Sequence, residues 1–167
     1  MTDVILVDNK DKILGFKEKF AAHKNPVPLH RAISVVIYDN KGRMLLQKRS
    51  ENKPTWPLFW SNACCTHPLK GETYKKAAKR RLKEEMGILS DLKEVFRFIY
   101  KAKFDKVWGE HEYDTVFIGR YTGKVSPSPE EAADYKWIPI NELMKDVKEN
   151  RDIYTPWFKI ILGKLKN

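Results

Sequence analysis

Cys64 and Cys65 stand side by side in the stretch WSNACCTHPLKGE, with His67 two residues further on. Two thiols and an imidazole at this spacing suit half of a zinc site, a dithiol redox pair, or a reactive thiol beside a metal-ligating histidine. A zinc site built on thiolates wants a second cysteine pair, and the chain has only these two cysteines. Successive side chains of an extended segment point to opposite faces. Cys65 and His67 would then share a face, so a metal held by His67 would lie near the Cys65 thiol while Cys64 packs inward. The plainer alternative is a buried, inert pair.

The chain has four histidines, His23, His30, His67 and His111, and Glu110 and Glu112 flank the last of them. On a strand both carboxylates face one side and His111 the other. Two like charges on a buried face are costly unless a cation lies between them. With three histidines they would make a mixed nitrogen and oxygen donor set for a divalent metal. The competing arrangement turns Glu110 and Glu112 to solvent and His111 inward.

Several elements must position these groups. VILVD and ILGFKEKF are expected as strands around the polar turn NKDK. AISVVIYD is predicted as a buried strand, turned by NKG into RMLLQKR, whose alternation suggests a sheet. A loop rich in proline and tryptophan, SENKPTWPLFW, leads to the cysteines. Thr73–Met86 is predicted as a helix, capped by Thr73 and stopped by Gly87, with Ala77, Ala78, Leu82 and Met86 on its apolar face. Strands follow around VFRFIYKAKF and HEYDTVFIGRY. SPSPEEAADYKW is expected as a loop, followed by a short strand and two helices, the last with Thr155 and Pro156 at its cap and first position. The expected class is α+β: one domain over 1–167, a mixed sheet flanked by helices.

Composition narrows the partners. A formal charge of +10 over 167 residues points to an anionic partner; nucleic acid, a phosphorylated small molecule and an acidic surface all suit it. Bases gather in LLQKRSENK and LKGETYKKAAKRRLKEE, where a solvated helix face is the simple explanation. The arginine-aromatic motifs of an RNA-binding protein are missing, and such a role gives no reason for a thiol beside a metal ligand. No apolar run approaches the roughly 18 residues of a membrane span. The first dozen residues carry acids where a secretory leader needs bases. A cytoplasmic monomer is the expectation.

The predicted helix carries a degraded Nudix box, G-x5-E-x7-R-E-U-x-E-E-x-G-U with U aliphatic. It is matched by Glu72, Arg80, Leu82, Glu84, Glu85, Gly87 and Ile88. Thr66 stands for the first glycine and Arg81 for a glutamate that hydrolytic members use to hold Mg²⁺. A metal-dependent hydrolase of a nucleotide or other diphosphate is therefore the disfavoured reading. From KEKFAAH…LHRAIS through FWSNACCTHPLKGE and YKAKFDKVWGEHE to TPW, the chain resembles the type 1 isopentenyl-diphosphate Δ-isomerases, non-hydrolytic members of the Nudix superfamily. That resemblance implies a Nudix-type fold and interconversion of isopentenyl and dimethylallyl diphosphate through a tertiary carbocation, in isoprenoid biosynthesis. It implies Cys65, Glu112 and Tyr100 as catalytic residues. His23, His30, His67, Glu110 and Glu112 would hold one divalent metal (Mn²⁺, Mg²⁺ or Zn²⁺), and Glu85 with the Cys65 carbonyl a substrate-borne Mg²⁺. Lys19, Arg49, Lys53 and Arg81 would grip the diphosphate, and Trp157 would wall the isoprenoid. His111 falls outside the set.

Overall fold

The computed structural model describes residues 2–166, so Met1 and Asn167, the two ends of the expected domain, lie outside it. A hairpin of β1 (Asp3–Val7) and β2 (Ile13–Glu18) opens the chain and runs into a single helical turn, α1 (Lys19–Ala22). The expected second strand therefore stops short. The Glu18 side chain accepts the amides of Phe20 (3.0 Å) and Ala21 (2.8 Å) and starts the turn. Then come β3 (His30–Tyr38), β4 (Arg43–Arg49), two short strands, β5 (Trp60–Ser61) and β6 (Cys64–Thr66), and α2 (Tyr74–Met86). Thr73 caps α2 by accepting the amide of Lys76. Gly87, at φ 68°, ends it with the amides of Gly87 and Ile88 returning to the Lys83 and Leu82 carbonyls.

The long strands β7 (Leu92–Lys103) and β8 (Gly109–Arg120) pair antiparallel. β9 (Ala132–Pro139) follows, then α3 (Ile140–Glu149), a 3-10 turn (Arg151–Ile153) and α4 (Pro156–Leu165). The expected SPSPEEAADYKW loop ends at Glu131. From Ala132 on, the segment pairs antiparallel with β4, which supplies the partner. Thr155 and Pro156 stand at the expected positions, but the Thr155 hydroxyl does not cap the helix; it lies 2.9 Å from Ser61 Oγ.

β3 is the centre of the mixed sheet. It runs parallel to β8 over its whole length and antiparallel to β6. Both its faces are buried from Ala32 to Ile37, in keeping with its mostly apolar sequence there. Ile33, Val35 and Ile37 pack with Leu82 and Met86 of α2. Val36 on the other face packs with Leu143 of α3 and Phe158 and Ile161 of α4. Among the described residues, no helix is long and apolar enough to cross a membrane.

The N-terminal hairpin is tied to α2 by a polar cluster. Asp11, at φ 65°, accepts Tyr74 Oη (2.7 Å) and Arg31 Nε (2.7 Å). The guanidiniums of Arg31 and Arg97 lie 5.0 and 4.9 Å from the Tyr74 ring centre. Replacing Tyr74 by phenylalanine removes one hydrogen bond to a charged acceptor and is expected to cost about 1–2 kcal/mol, read as a lower urea midpoint at unchanged slope.

Candidate active site

Four segments deliver five ligand atoms to one place. His23 closes α1, His30 opens β3, His67 follows β6, and Glu110 and Glu112 project from the same face of β8. The parallel register sets His30 directly beside Glu112. One donor atom from each of these five residues falls within 4.8 Å of all the others. His111 points away, its Nδ1 3.1 Å from the Val27 carbonyl.

Outer contacts orient this cluster. His23 Nδ1 donates to the Lys19 carbonyl (2.6 Å) and His30 Nδ1 to that of Pro28 (2.9 Å), which turns each Nε2 inward. Each carboxylate is divided in the same way. Thr55 Oγ1 donates to Glu110 Oε1 (2.9 Å), and Tyr100 Oη to Glu112 Oε2 (2.6 Å). Their other oxygens face histidines: Glu110 Oε2 lies 3.1 Å from His23 Nε2, and Glu112 Oε1 3.0 Å from His67 Nε2. Even so, buried His30 Nε2 and Glu110 Oε2 have no aligned hydrogen-bond partner. Orphaned inward donors at this spacing fit a divalent cation with bonds of about 2.0–2.2 Å.

The cluster's protonation is uneven. Burial and the charges of His23 and His30 push His67 well below the ordinary imidazole value. Burial would also lower His23, but the adjacent Glu110 carboxylate outweighs it and raises it to about 9. Burial opposes ionisation of Glu112 too, yet His30 and Tyr100 keep it below its usual range.

Cys65 sits on the same cavity, on the opposite face of β6 from Cys64, which is fully buried in the core beneath α2. The Cys65 thiol donates to Asn62 Oδ1 (3.1 Å) and accepts Trp157 Nε1–H (3.1 Å). Ser34 Oγ is 3.6 Å away and donates to Asp114 Oδ2 (2.7 Å). Burial, then the Asp114 charge, pushes the thiol up to about 12, so it is a proton holder at neutral pH. Asp114 is itself well above the carboxylate range through burial and the charge of Glu112. Asn62, Ser34, Asp114 and Thr55 were not singled out from the sequence. Thr55, Ser34 and Asp114 meet partners distant in sequence, whereas Asn62 lies three residues before Cys65, within the cysteine stretch itself.

Lys19, Arg49, Lys53, Arg81, Tyr100 and Trp157 also line this cavity of about 290 Å³. Arg49 donates to the carbonyls of Trp56 (3.0 Å) and Thr55 (2.8 Å), and its guanidinium lies 5.1 Å from the Trp157 ring centre. Arg81 donates to Glu84 (2.8 Å), Glu85 (2.8 Å) and Glu131 (2.9 Å). Lys53 pairs with the second oxygen of Glu131. Glu85 is not one of the lining residues. It is buried with one oxygen on Arg81 and the other on Gln47 Nε2 (3.1 Å).

Burial would raise Glu131, but Lys53 and Arg81 hold it down to about 2 from an ordinary 4.5. A depressed folded value means that this stabilisation is complete above pH 4.5 and is lost as pH falls toward 2. The advantage of the wild type over Glu131→Gln in urea is expected to be at most about 3 kcal/mol near neutrality. It should shrink steadily on acidification below the ordinary value.

The NUDIX domain family matches residues 28–158. Isopentenyl-diphosphate Delta-isomerase 2 of Aromatoleum aromaticum is 43% identical over 97% of this chain and 85% of its own. Isopentenyl-diphosphate Delta-isomerase 2 of Photorhabdus laumondii is 43% identical over 97% of this chain and 91% of its own. Among solved structures, DR0079 from Deinococcus radiodurans superposes with a TM-score of 0.77 at 15% identity, covering 95% of this chain and 96% of that one. At that identity the likeness concerns the fold alone.

Proposed function

From the premise that the chain belongs to the isopentenyl-diphosphate Delta-isomerases, on a NUDIX domain, we propose that Cys65 and Glu112 exchange the protons of the reaction. The protein is an enzyme that interconverts isopentenyl diphosphate and dimethylallyl diphosphate. Moving that double bond adds a proton to the terminal alkene carbon and removes one from C2, through a tertiary carbocation. An alkene is a weak base, so the acid must be well placed and water kept out.

The observation that carries the assignment is a single cavity lined by one thiol, one carboxylate–tyrosine pair and four cationic side chains. Cys65 holds a proton at sulfur, oriented by Asn62 and Trp157. Glu112 takes or returns a proton at carboxylate oxygen, with Tyr100 Oη steadying its second oxygen. Trp157 and Tyr100 wall the hydrocarbon. Trp157 already lies beside one cation, Arg49, and its π face can stabilise a desolvated carbocation by about 2 kcal/mol.

Lys19, Lys53 and Arg81 neutralise the diphosphate, with Arg49 at the junction of the polar and apolar halves. What a divalent cation bound by His23, His30, His67, Glu110 and Glu112 supplies is positive charge that sets the basicity and orientation of Glu112. We assign that site to Mn²⁺, Mg²⁺ or Zn²⁺. Glu85 and the Cys65 carbonyl are assigned to Mg²⁺ arriving with substrate, for which Glu85 would have to give up its bond to Arg81 or Gln47. The reading takes the protein as a cytoplasmic monomer, where both free cysteines stay reduced.

Incubating the purified protein with isopentenyl diphosphate and Mg²⁺ tests the reaction. The acid-labile dimethylallyl isomer should form without release of phosphate or pyrophosphate. Release of either anion with no isomer would establish a hydrolase instead.

A further inference from the structure

We propose that Glu131 is an internal counter-anion: in the free protein its carboxylate fills the diphosphate subsite, and substrate must displace it. The inference rests on the assignment of Lys53 and Arg81 to the diphosphate and adds a residue that selects what may bind there.

Glu131 lines the cavity and spans the two cations, one carboxylate oxygen on Lys53 and the other 2.9 Å from Arg81 Nη2. The Nη2 of Arg81 has both its protons engaged, by Glu85 and Glu131. Nη1 is taken by Glu84, and the buried Nε has no partner. A phosphoryl oxygen can therefore meet Arg81 Nη2 only where a carboxylate leaves it. Glu84 and Glu85 lie within a turn of Arg81 on α2. Glu131 comes from the segment before β9, and of these three carboxylates it alone lines the cavity.

The backbone of Glu131 is fixed, with its amide on the Ser128 carbonyl (3.0 Å) and its carbonyl on the Ser50 amide (3.0 Å). Lys53 is anchored to the same Ser50 through its own amide (3.2 Å). Release therefore means a side-chain rotation, not a loop movement. Lys19 approaches from α1. Burial and the charges of Lys53 and Arg81 depress its ammonium, as three cations converging on one space require.

A carboxylate brings one negative charge and two oxygens. A diphosphate brings more of both and also reaches Lys19. Exchange therefore favours diphosphates over singly charged anions, and the barrier to entry is set by Glu131.

The test is calorimetric titration of the metal-loaded enzyme with inorganic pyrophosphate at fixed Mg²⁺. In Glu131→Gln the dissociation constant should fall about tenfold, and KM for isopentenyl diphosphate should fall with it while kcat changes less. An unchanged or weaker affinity overturns the proposal, and weaker binding would make Glu131 a residue that orients the two cations. Lys53→Met separates this inference from its premise. If Lys53→Met leaves pyrophosphate affinity unchanged, the diphosphate lies elsewhere and both fail. If Lys53→Met weakens binding while Glu131→Gln does not tighten it, only the counter-anion fails. Should Glu131→Gln not fold, Glu131→Asp, one methylene too short to span both cations, must tighten binding in its place.

Discussion

Replacing Cys65 by alanine is expected to lower isomer formation by about a hundred- to ten-thousandfold while circular dichroism and the unfolding midpoint stay close to wild type. The side chain has modest packing to lose, since it faces the cavity, its sulfur meets the polar tips of Asn62, Trp157 and Ser34, and it packs only partly against the core. Cys65→Ser should recover little, because a hydroxyl releases its proton far less readily than a thiol. Cys64→Ala supplies the contrast. Its sulfur is fully buried in the core with Ala77, Ala78 and Leu82, so it should cost about 1–2 kcal/mol of stability and leave turnover in place. Equal loss of turnover in two well-folded variants would mean that the wrong thiol had been assigned.

Glu110→Ala should abolish stoichiometric binding of a divalent ion, measured by elemental analysis after exhaustive desalting. It removes one inward oxygen and leaves Thr55 without its acceptor. The cation also bears on stability, because a ligand bound only by the folded state at a hundred times its dissociation constant adds about 2.7 kcal/mol. A chelator should therefore lower the melting temperature of the wild type and leave that of Glu110→Ala unmoved. A metal-free wild type that is active and indifferent to chelator would remove the five-ligand site.

The family resemblance supplied the full set of site residues, and period-two alternation carried most of what the residues alone could say. It placed Glu110 and Glu112 on one side of β8 with His111 on the other, and it separated Cys64 from Cys65. Capping residues likewise marked both ends of α2. What escaped were features that depend on partners distant in sequence. α1 is a single turn started by a glutamate, too short for any helical period. β9 is paired along β4, and three of its eight residues are exposed, which blurs its alternation. Glu131 is separated by 50 residues from Arg81 and by 78 from Lys53, so nothing in its neighbourhood announces either contact. The Thr155 hydroxyl was expected at a helix cap and is instead beside Ser61, in a core that no local rule describes.

The hairpin and α1 precede residue 28, where the family match begins, yet they carry Lys19 and His23 into the cavity. Their ladder to the rest of the sheet is short, a single register pair, Leu6 with His30, supported by the Val7 amide on the Leu29 carbonyl, the Gly109 amide on the His23 carbonyl and the side-chain cluster at Asp11. Such a segment can open below the free energy of global unfolding. Hydrogen exchange would then find β1 and β2 less protected than β3 and β8. Every opening would take away one imidazole and one ammonium together, leaving a folded but incompetent core. Occupancy of the metal cluster and the anion subsite would close it again. Activity would thus be governed by the attachment of some twenty-five residues, an equilibrium that a melting temperature of the whole protein does not report.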